Sequence, residues 1–284
     1  TRIYFREVYA MDKITIGLIG YGFVGKAVGQ LKDVFPTNIY DPYNPDYKSL
    51  KHTRNAYNSD VVFINVPTDL KNGRLDISII ESCIQDFIKE NQNSSSVIVI
   101  KSTVPAGTCE TLSQRYHLDN IVFNPEFLSQ RTAMEDFINQ QELYLAGKKE
   151  NTLKVRRLYE AFFDYKGNHD VEIFETQNWA EVELLKLARN TFYGLKVSYC
   201  NYLYNLCEKI NIEYSTFREH FMRAKWVGEQ HTMVPGPDGK FGYGGKCLPK
   251  DSIELLNFLK ENDIIFNMLE QSIDFNKDQR NKGD

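Results

Sequence analysis

An apolar run of strand length, Lys13 to Ile19, leads directly into Gly20-Tyr21-Gly22-Phe23-Val24-Gly25, and a helical stretch from Lys26 to Lys32 follows. Three glycines at this spacing between a strand and a helix leave few folds open. Gly20 permits the tight turn, Gly22 leaves room for a diphosphate to approach the backbone, and Gly25 lets the helix pack on its strand. Such a diphosphate would rest on the helix N-terminus, with Tyr21, Phe23 and Val24 in the same loop. Thr37 to Tyr40 reads as the second strand, closed by Asp41. An acidic residue about 20 positions past the first glycine receives ribose hydroxyls. It would repel a 2′-phosphate, so NAD is expected rather than NADP.

Two further buried-type strands, Val61 to Val66 and Val97 to Lys101, alternate with the helical stretch Asp76 to Lys89, and Ile121 to Phe123 reads as a short additional strand. Alternation of this kind predicts an α/β fold, a Rossmann-type doubly wound parallel sheet. Ligands bind outside the carboxyl ends of such strands. Pro67, Thr68, Ser102 and Thr103, on the turns there, are therefore candidates for contacts near the nicotinamide; ordinary helix capping explains the hydroxyl residues equally well. Glu126 lies just past a strand end on the same edge, although a solvated loop carboxylate is the usual fate of Glu.

The second half is organised by one long helix, 177–210, with apolar residues at Leu184, Ala188, Phe192, Leu195, Tyr199, Leu203, Leu206 and Ile210. Spacing of three and four makes them one stripe. A helix of this length, roughly 50 Å, exceeds what a small domain covers, so pairing with its copy in a homodimer is expected. Lys186 and Asn190 share a face at i and i+4. From apolar surroundings they suit oxyanion stabilisation; a snorkelling lysine is the alternative.

A turn-rich loop, Pro235 to Gly239, precedes Phe241-Gly242-Tyr243-Gly244-Gly245-Lys246-Cys247-Leu248-Pro249-Lys250-Asp251, and the run to Lys260 reads as a helix with Pro249 in its first turn. Cys247 then stands just ahead of a helix N-terminus, which favours a thiolate, with Lys246 and Lys250 adding positive charge. A nucleophile is expected there, against the plainer reading of a glycine turn with an incidental thiol. A last helix runs from about Ile264 to Arg280. The expected division is 11–175 for the dinucleotide-binding domain and 176–284 for a mostly helical central domain. Residues 1–10 precede Met11, read as the natural start, and look like a non-native leader.

The net charge of −4 gives no case for nucleic-acid or membrane-surface binding. Five cysteines, odd in number and without CxxC spacing, argue against a disulfide framework and against a zinc site, and fit a reducing cytoplasm. No apolar run approaches the roughly 20 residues that span a bilayer.

With these motifs in hand, the chain resembles the UDP-glucose/GDP-mannose dehydrogenase family from about Lys13 to Arg280. The resemblance rests on Gly-Tyr-Gly-Phe-Val-Gly, Val66-Pro-Thr, Lys101-Ser-Thr, Asn124-Pro-Glu-Phe-Leu, Lys186-x-x-x-Asn190 and Gly244-Gly-x-Cys247-x-Pro-Lys-Asp251. It implies oxidation of the primary alcohol of a UDP- or GDP-hexose to the uronic acid, using two NAD⁺. Cys247 would form a thiohemiacetal and then a thioester, Lys186 and Asn190 would hold the oxyanion, Asp251 with Thr103 would assist proton transfer through water, and Glu126 would activate the hydrolytic water. Glu126, Phe127, Leu128, Tyr243 and Gly244 would line the sugar nucleotide, and Gln130 and Lys250 would lie near NAD. Three departures stand out. Gln130 replaces a usual Glu, Trp226 replaces an Arg that reaches a neighbouring subunit's nucleotide, and the third, nucleotide-holding domain is expected to be absent. Two other readings fit these residues: a β-hydroxyacid dehydrogenase, with one hydride transfer and no need of a cysteine, and a non-catalytic NAD-binding subunit.

Overall fold

The computed structural model describes residues 14–282, so the expected leader lies outside the described residues. The chain opens with β1 (Ile16–Ile19), α1 (Phe23–Val28, prolonged by a 3₁₀ turn over Gly29–Asp33), β2 (Thr37–Tyr40), α2 (Leu50–Tyr57) and β3 (Val61–Ile64). A short hairpin, β4 (Leu70–Lys71) and β5 (Arg74–Leu75), interrupts the alternation. It resumes with α3 (Ser78–Glu90), β6 (Val97–Ile100), α4 (Thr108–Tyr116), β7 (Ile121–Phe123), α5 (Ala133–Asn139), β8 (Glu142–Gly147), α6 (Lys149–Lys166) and β9 (Glu172–Thr176). Then come α7 (Trp179–Lys209), α8 (Tyr214–Met222), α9 (Leu248–Glu261) and α10 (Asn267–Arg280). The last begins later than its expected start at Ile264, because Asp263 takes a left-handed turn (φ 57°) behind α9.

The described chain forms two compact units: residues up to Thr68 with Asp76–Lys186, and Asp69–Leu75 with the residues from Leu187 onward. The division between these units falls inside α7. The first unit is built on a sheet of order β2-β1-β3-β6-β7-β8-β9. β1, β3 and β6 are buried along their whole length, as strands covered on both faces must be. Their side chains alternate between two cores. Ile16, Leu18, Val61, Phe63, Val97 and Val99 point towards α1 and α6. Ile19, Val62, Ile64, Ile98 and Ile100 point towards α2, α3 and α4. The sheet is not parallel throughout: β8 pairs antiparallel with β7, and β9 lies parallel to β8, so the last two strands run against the rest. No local pattern in the sequence marks that reversal.

In the second unit the β4–β5 hairpin is tied to α9. Arg74 forks onto the buried carboxylate of Glu254 (2.8 Å), and Leu75 donates its N–H to the same group (2.8 Å). Leu187, Leu255, Leu256, Leu269 and Ile273 form the small apolar core. Among the described residues no helix is long and apolar enough to cross a membrane.

Candidate functional site

In the first unit, Gly20 sits at the carboxyl end of β1 with φ +84°, and a Cβ there would lie 2.7 Å from the Asn65 carbonyl oxygen. A Cβ on Gly25 would lie 2.1 Å from the Gly20 oxygen, so helix and turn touch directly. Among the described residues nothing lies within 4 Å of the Cβ position of Gly22, and no side chain caps α1. The open space above Gly22 fits the diphosphate of NAD. Asp41 braces this loop: its carboxylate accepts the N–H of Tyr21 (2.7 Å) and that of Tyr43 (2.9 Å). Phe23 and Val24 pack on the core, and Tyr21 stands edge-on to Tyr47.

The turns after β3 and β6 are laced together. Thr68 donates its hydroxyl to the Thr103 carbonyl (2.7 Å), and Ser102 donates to that of Val66 (2.7 Å). Their protons are committed to the backbone, which leaves oxygen lone pairs for any ligand. Pro67 and Gln130 are exposed.

Glu126 is buried rather than solvated. One oxygen accepts the Leu128 N–H (2.7 Å), and the other pairs with the Lys186 ammonium (3.2 Å). Lys186, 2% exposed, also donates to the Glu126 carbonyl and sits over the Phe127 ring, 5.0 Å from its centroid. Its ammonium therefore stays inside the protein rather than snorkelling to water. Leu128 packs on the core.

A second buried lysine, given no role by the sequence reading, belongs to this group. Lys101, at the end of β6, donates to Asn124 Oδ1 (2.8 Å), which also accepts the Tyr159 hydroxyl (2.7 Å). Burial pushes its ammonium down to about 7; Glu126 pulls the other way and Lys186 pushes further down. The only signal in the sequence was a lysine closing a wholly apolar strand. A lysine whose pKa falls from 10.5 to about 7 binds fewer protons folded than unfolded. Its cost to stability is therefore full below that window and fades as pH rises through it. Lys101→Met should raise the thermal midpoint most near pH ~6 and least near pH ~10, because Tyr159 keeps Asn124 paired. A gain that is flat with pH would rule out Lys101 as the titrating group. Glu183, also missed, is wholly buried and caps α4 from α7, accepting the N–H groups of Gly107 (2.6 Å) and Cys109 (2.8 Å).

In the second unit, Cys247 is the N-cap residue of α9 and is partly exposed, while the other four cysteines are buried. One helical turn on, Asp251 is wholly buried; its carboxylate accepts Asn190 Nδ2 (2.5 Å) and the Lys250 ammonium (2.8 Å). Lys250 is thus engaged with Asp251, and Lys246 is exposed. Tyr243 is buried, its ring set against Gly194, and Gly244 is half-buried. Trp226 is 91% exposed. Lys186 and Asn190 occupy consecutive turns of α7, the first bonded to Glu126 and the second to Asp251.

Known proteins resemble this chain in sequence and in fold. Residues 46–163 match the NAD-binding domain of the UDP-glucose/GDP-mannose dehydrogenase family, and 180–278 match its central domain. The first match starts beyond the glycine loop, whose fit to a dinucleotide rests on its own geometry. UDP-glucose 6-dehydrogenase of Rickettsia bellii is 32% identical over 228 residues, which is 78% of this chain and 50% of that protein. The Bacillus subtilis enzyme of the same name is 28% identical over 78% of this chain and 47% of its own length. The chain therefore spans about half the length of the curated relatives it matches. A UDP-glucose dehydrogenase from Pyrobaculum islandicum superposes with a TM-score of 0.76 at 22% identity, covering 94% of this chain and 68% of that one. A 3-hydroxyisobutyrate dehydrogenase from Mycobacterium tuberculosis gives 0.73 at 14% identity, covering 94% and 95%. At these identities both superpositions speak to the fold alone. The two domain matches, which together take in most of the chain, decide the lineage: the chain belongs to the UDP-glucose/GDP-mannose dehydrogenase family, and its cofactor is NAD.

Proposed function

We propose that the chain carries the NAD-dependent oxidation of the primary alcohol of a UDP- or GDP-hexose to the uronic acid, with Cys247 as nucleophile. The observation that carries this reading is the setting of Cys247. It is the one partly exposed thiol among five, at the N-cap of α9 and one turn from the buried Asp251–Asn190 pair.

NAD⁺, when bound, supplies the acceptor for hydride leaving the sugar carbon. The chain's own groups do the rest. Asp251, with Thr103, takes up the alcohol proton through water. The Cys247 thiolate adds to the aldehyde carbon, and the carbonyl electron pair moves onto oxygen, where Lys186 and Asn190 stabilise the charge. Protonation of that oxygen gives a thiohemiacetal, whose carbon bears hydrogen beside a hydroxyl and so regains a hydride to lose. Water activated by Glu126 then attacks the resulting thioester; the carbon–sulfur bond breaks and the thiolate returns. Glu126, Phe127, Leu128, Tyr243 and Gly244 line the sugar nucleotide, Gln130 and Lys250 lie near NAD, and Asp41 selects NAD⁺ over NADP⁺. A reducing, cytoplasmic setting suits five cysteines that form no disulfide.

The test is NADH release against a panel of UDP- and GDP-hexoses, with NADP⁺ as control. Two NADH per sugar from one member support the reading. One NADH per turnover, kept in Cys247→Ala, would instead favour single hydride transfer of the β-hydroxyacid dehydrogenase kind. NAD binding with no turnover on any member would favour a non-catalytic subunit.

We also propose a homodimer through α7. The buried face of this helix mixes Leu187, Cys200 and Cys207 with the polar Asn190, Thr191, Ser198 and Asn201, while Phe192 (62% exposed), Tyr199 and Leu206 of the apolar stripe face outward. A 31-residue helix that turns its apolar side to water calls for a partner of the same kind. Light scattering at micromolar concentration should give twice the chain mass, and Phe192→Glu with Leu206→Glu should give monomer. A monomeric parent would refute the dimer.

A further inference from the structure

The backbone leading to Cys247 is rich in glycine, yet it is gripped by side chains to which nothing above gives a part. The Tyr243 N–H donates to Asn276 Oδ1 (2.6 Å), and Asn276 Nδ2 donates back to the Tyr243 carbonyl (2.9 Å). One amide on α10 thereby satisfies both polar groups of one residue, as a neighbouring strand would. Asn276 is buried, so this pairing exchanges little with water. The Gly242 N–H is held by Asn201 Oδ1 of α7 (3.0 Å). Gly242 takes φ +69°, and a Cβ there would lie 2.4 Å from Asn276 Oδ1, so the contact demands glycine. The Arg280 guanidinium, fixed by Asp238 (2.7 Å), covers Gly244 so closely that a Cβ would lie 2.6 Å from it. Only Gly244, Gly245 and Lys246 separate this clamp from Cys247, which α9 fixes from the other side. Without the clamp, that Gly-Gly tether would let the thiol wander.

We infer that Asn276 is a positioning residue for Cys247, setting the path of the Tyr243–Gly244 backbone and with it the place of the thiol. The inference rests on the nucleophile reading of Cys247, but its first measurement does not need turnover. In the full chain, Cys247 is alkylated with iodoacetamide and the modified peptide is followed by mass spectrometry. Asn276→Ala should change the alkylation rate about tenfold, the size expected from one or two lost buried hydrogen bonds. Asn276→Asp keeps the acceptor for the Tyr243 N–H and loses the donor, so it should fall between parent and Ala. Asp274→Ala, exposed on the same helix, should match the parent. On a sugar nucleotide first shown to be used, Asn276→Ala should lower kcat while NAD⁺ affinity holds.

A folded Asn276→Ala with the parent alkylation rate and kcat overturns the inference. If Ala fails to fold, Asp decides: a parent-like Asp variant overturns it, and an altered rate with unchanged NAD⁺ affinity supports it. Failure of the underlying reading shows differently, as a Cys247 variant that keeps full turnover whatever the alkylation rates.

Discussion

Cys247→Ser is expected to release one NADH per site, where the parent releases two, in a single turnover with a substrate first shown to be used. The two oxidations need the thiol unequally. An alcohol carries the hydride it must lose, and only its proton has to be removed, a task the proposed mechanism gives to Asp251 and not to sulfur. An aldehyde has to gain a nucleophile before its carbon becomes a hydride donor again. A serine hydroxyl is not ionised at neutral pH and is a far weaker nucleophile than a thiolate. The variant should therefore stop at the aldehyde, or at an ester that water cleaves slowly. Its stability should change little, because serine is close to cysteine in size and suits an N-cap position. A second NADH at the parent rate would show that Cys247 is not the nucleophile.

Lys186→Ala should behave differently. Loss of one donor at a developing oxyanion costs about 10²–10³ in rate. Oxygen carries charge in both oxidations, so both steps should slow and neither should be skipped. Stability should fall as well. Lys186 pairs with buried Glu126 and packs over Phe127, and its removal takes away the carboxylate's ion-pair partner and leaves its bond to the Leu128 N–H. Breaking a buried pair by removing one partner costs about 3–5 kcal/mol. Lys186→Ala with Glu126→Gln removes the stranded charge, and so should recover much of the thermal midpoint and none of the rate. Recovery of both would make Lys186 a structural group only.

The parts legible beforehand share one property: they are local. β2 and β7 coincide with their expected ranges, and β1, β3 and β6 fall inside theirs; for all but the half-buried β2 the reason is that a strand buried on both faces has to be a short apolar run. The Gly20–Gly25 loop follows from steric demands within one strand-turn-helix, whereas its bracing by Asp41 shows only in the fold. The N-cap position of Cys247 follows from Pro249.

What only the tertiary structure decided depends on partners far apart in the chain. The antiparallel addition of β8 to β7, and of β9 beside it, is a pairing between strands that no periodicity records. The β4–β5 hairpin joins the second unit through Glu254, about 180 residues away. Glu126 stands between a ligand-edge carboxylate and a solvated loop residue, and Lys101 is a strand-end lysine, until Lys186, Asn124 and Tyr159 are brought to them. Asn276 was one polar residue in a closing helix. A side chain's chemistry follows from its type, which the sequence states outright. Its charge state and its hold on a backbone follow from what surrounds it, and burial with a specific partner exists only once the chain has folded.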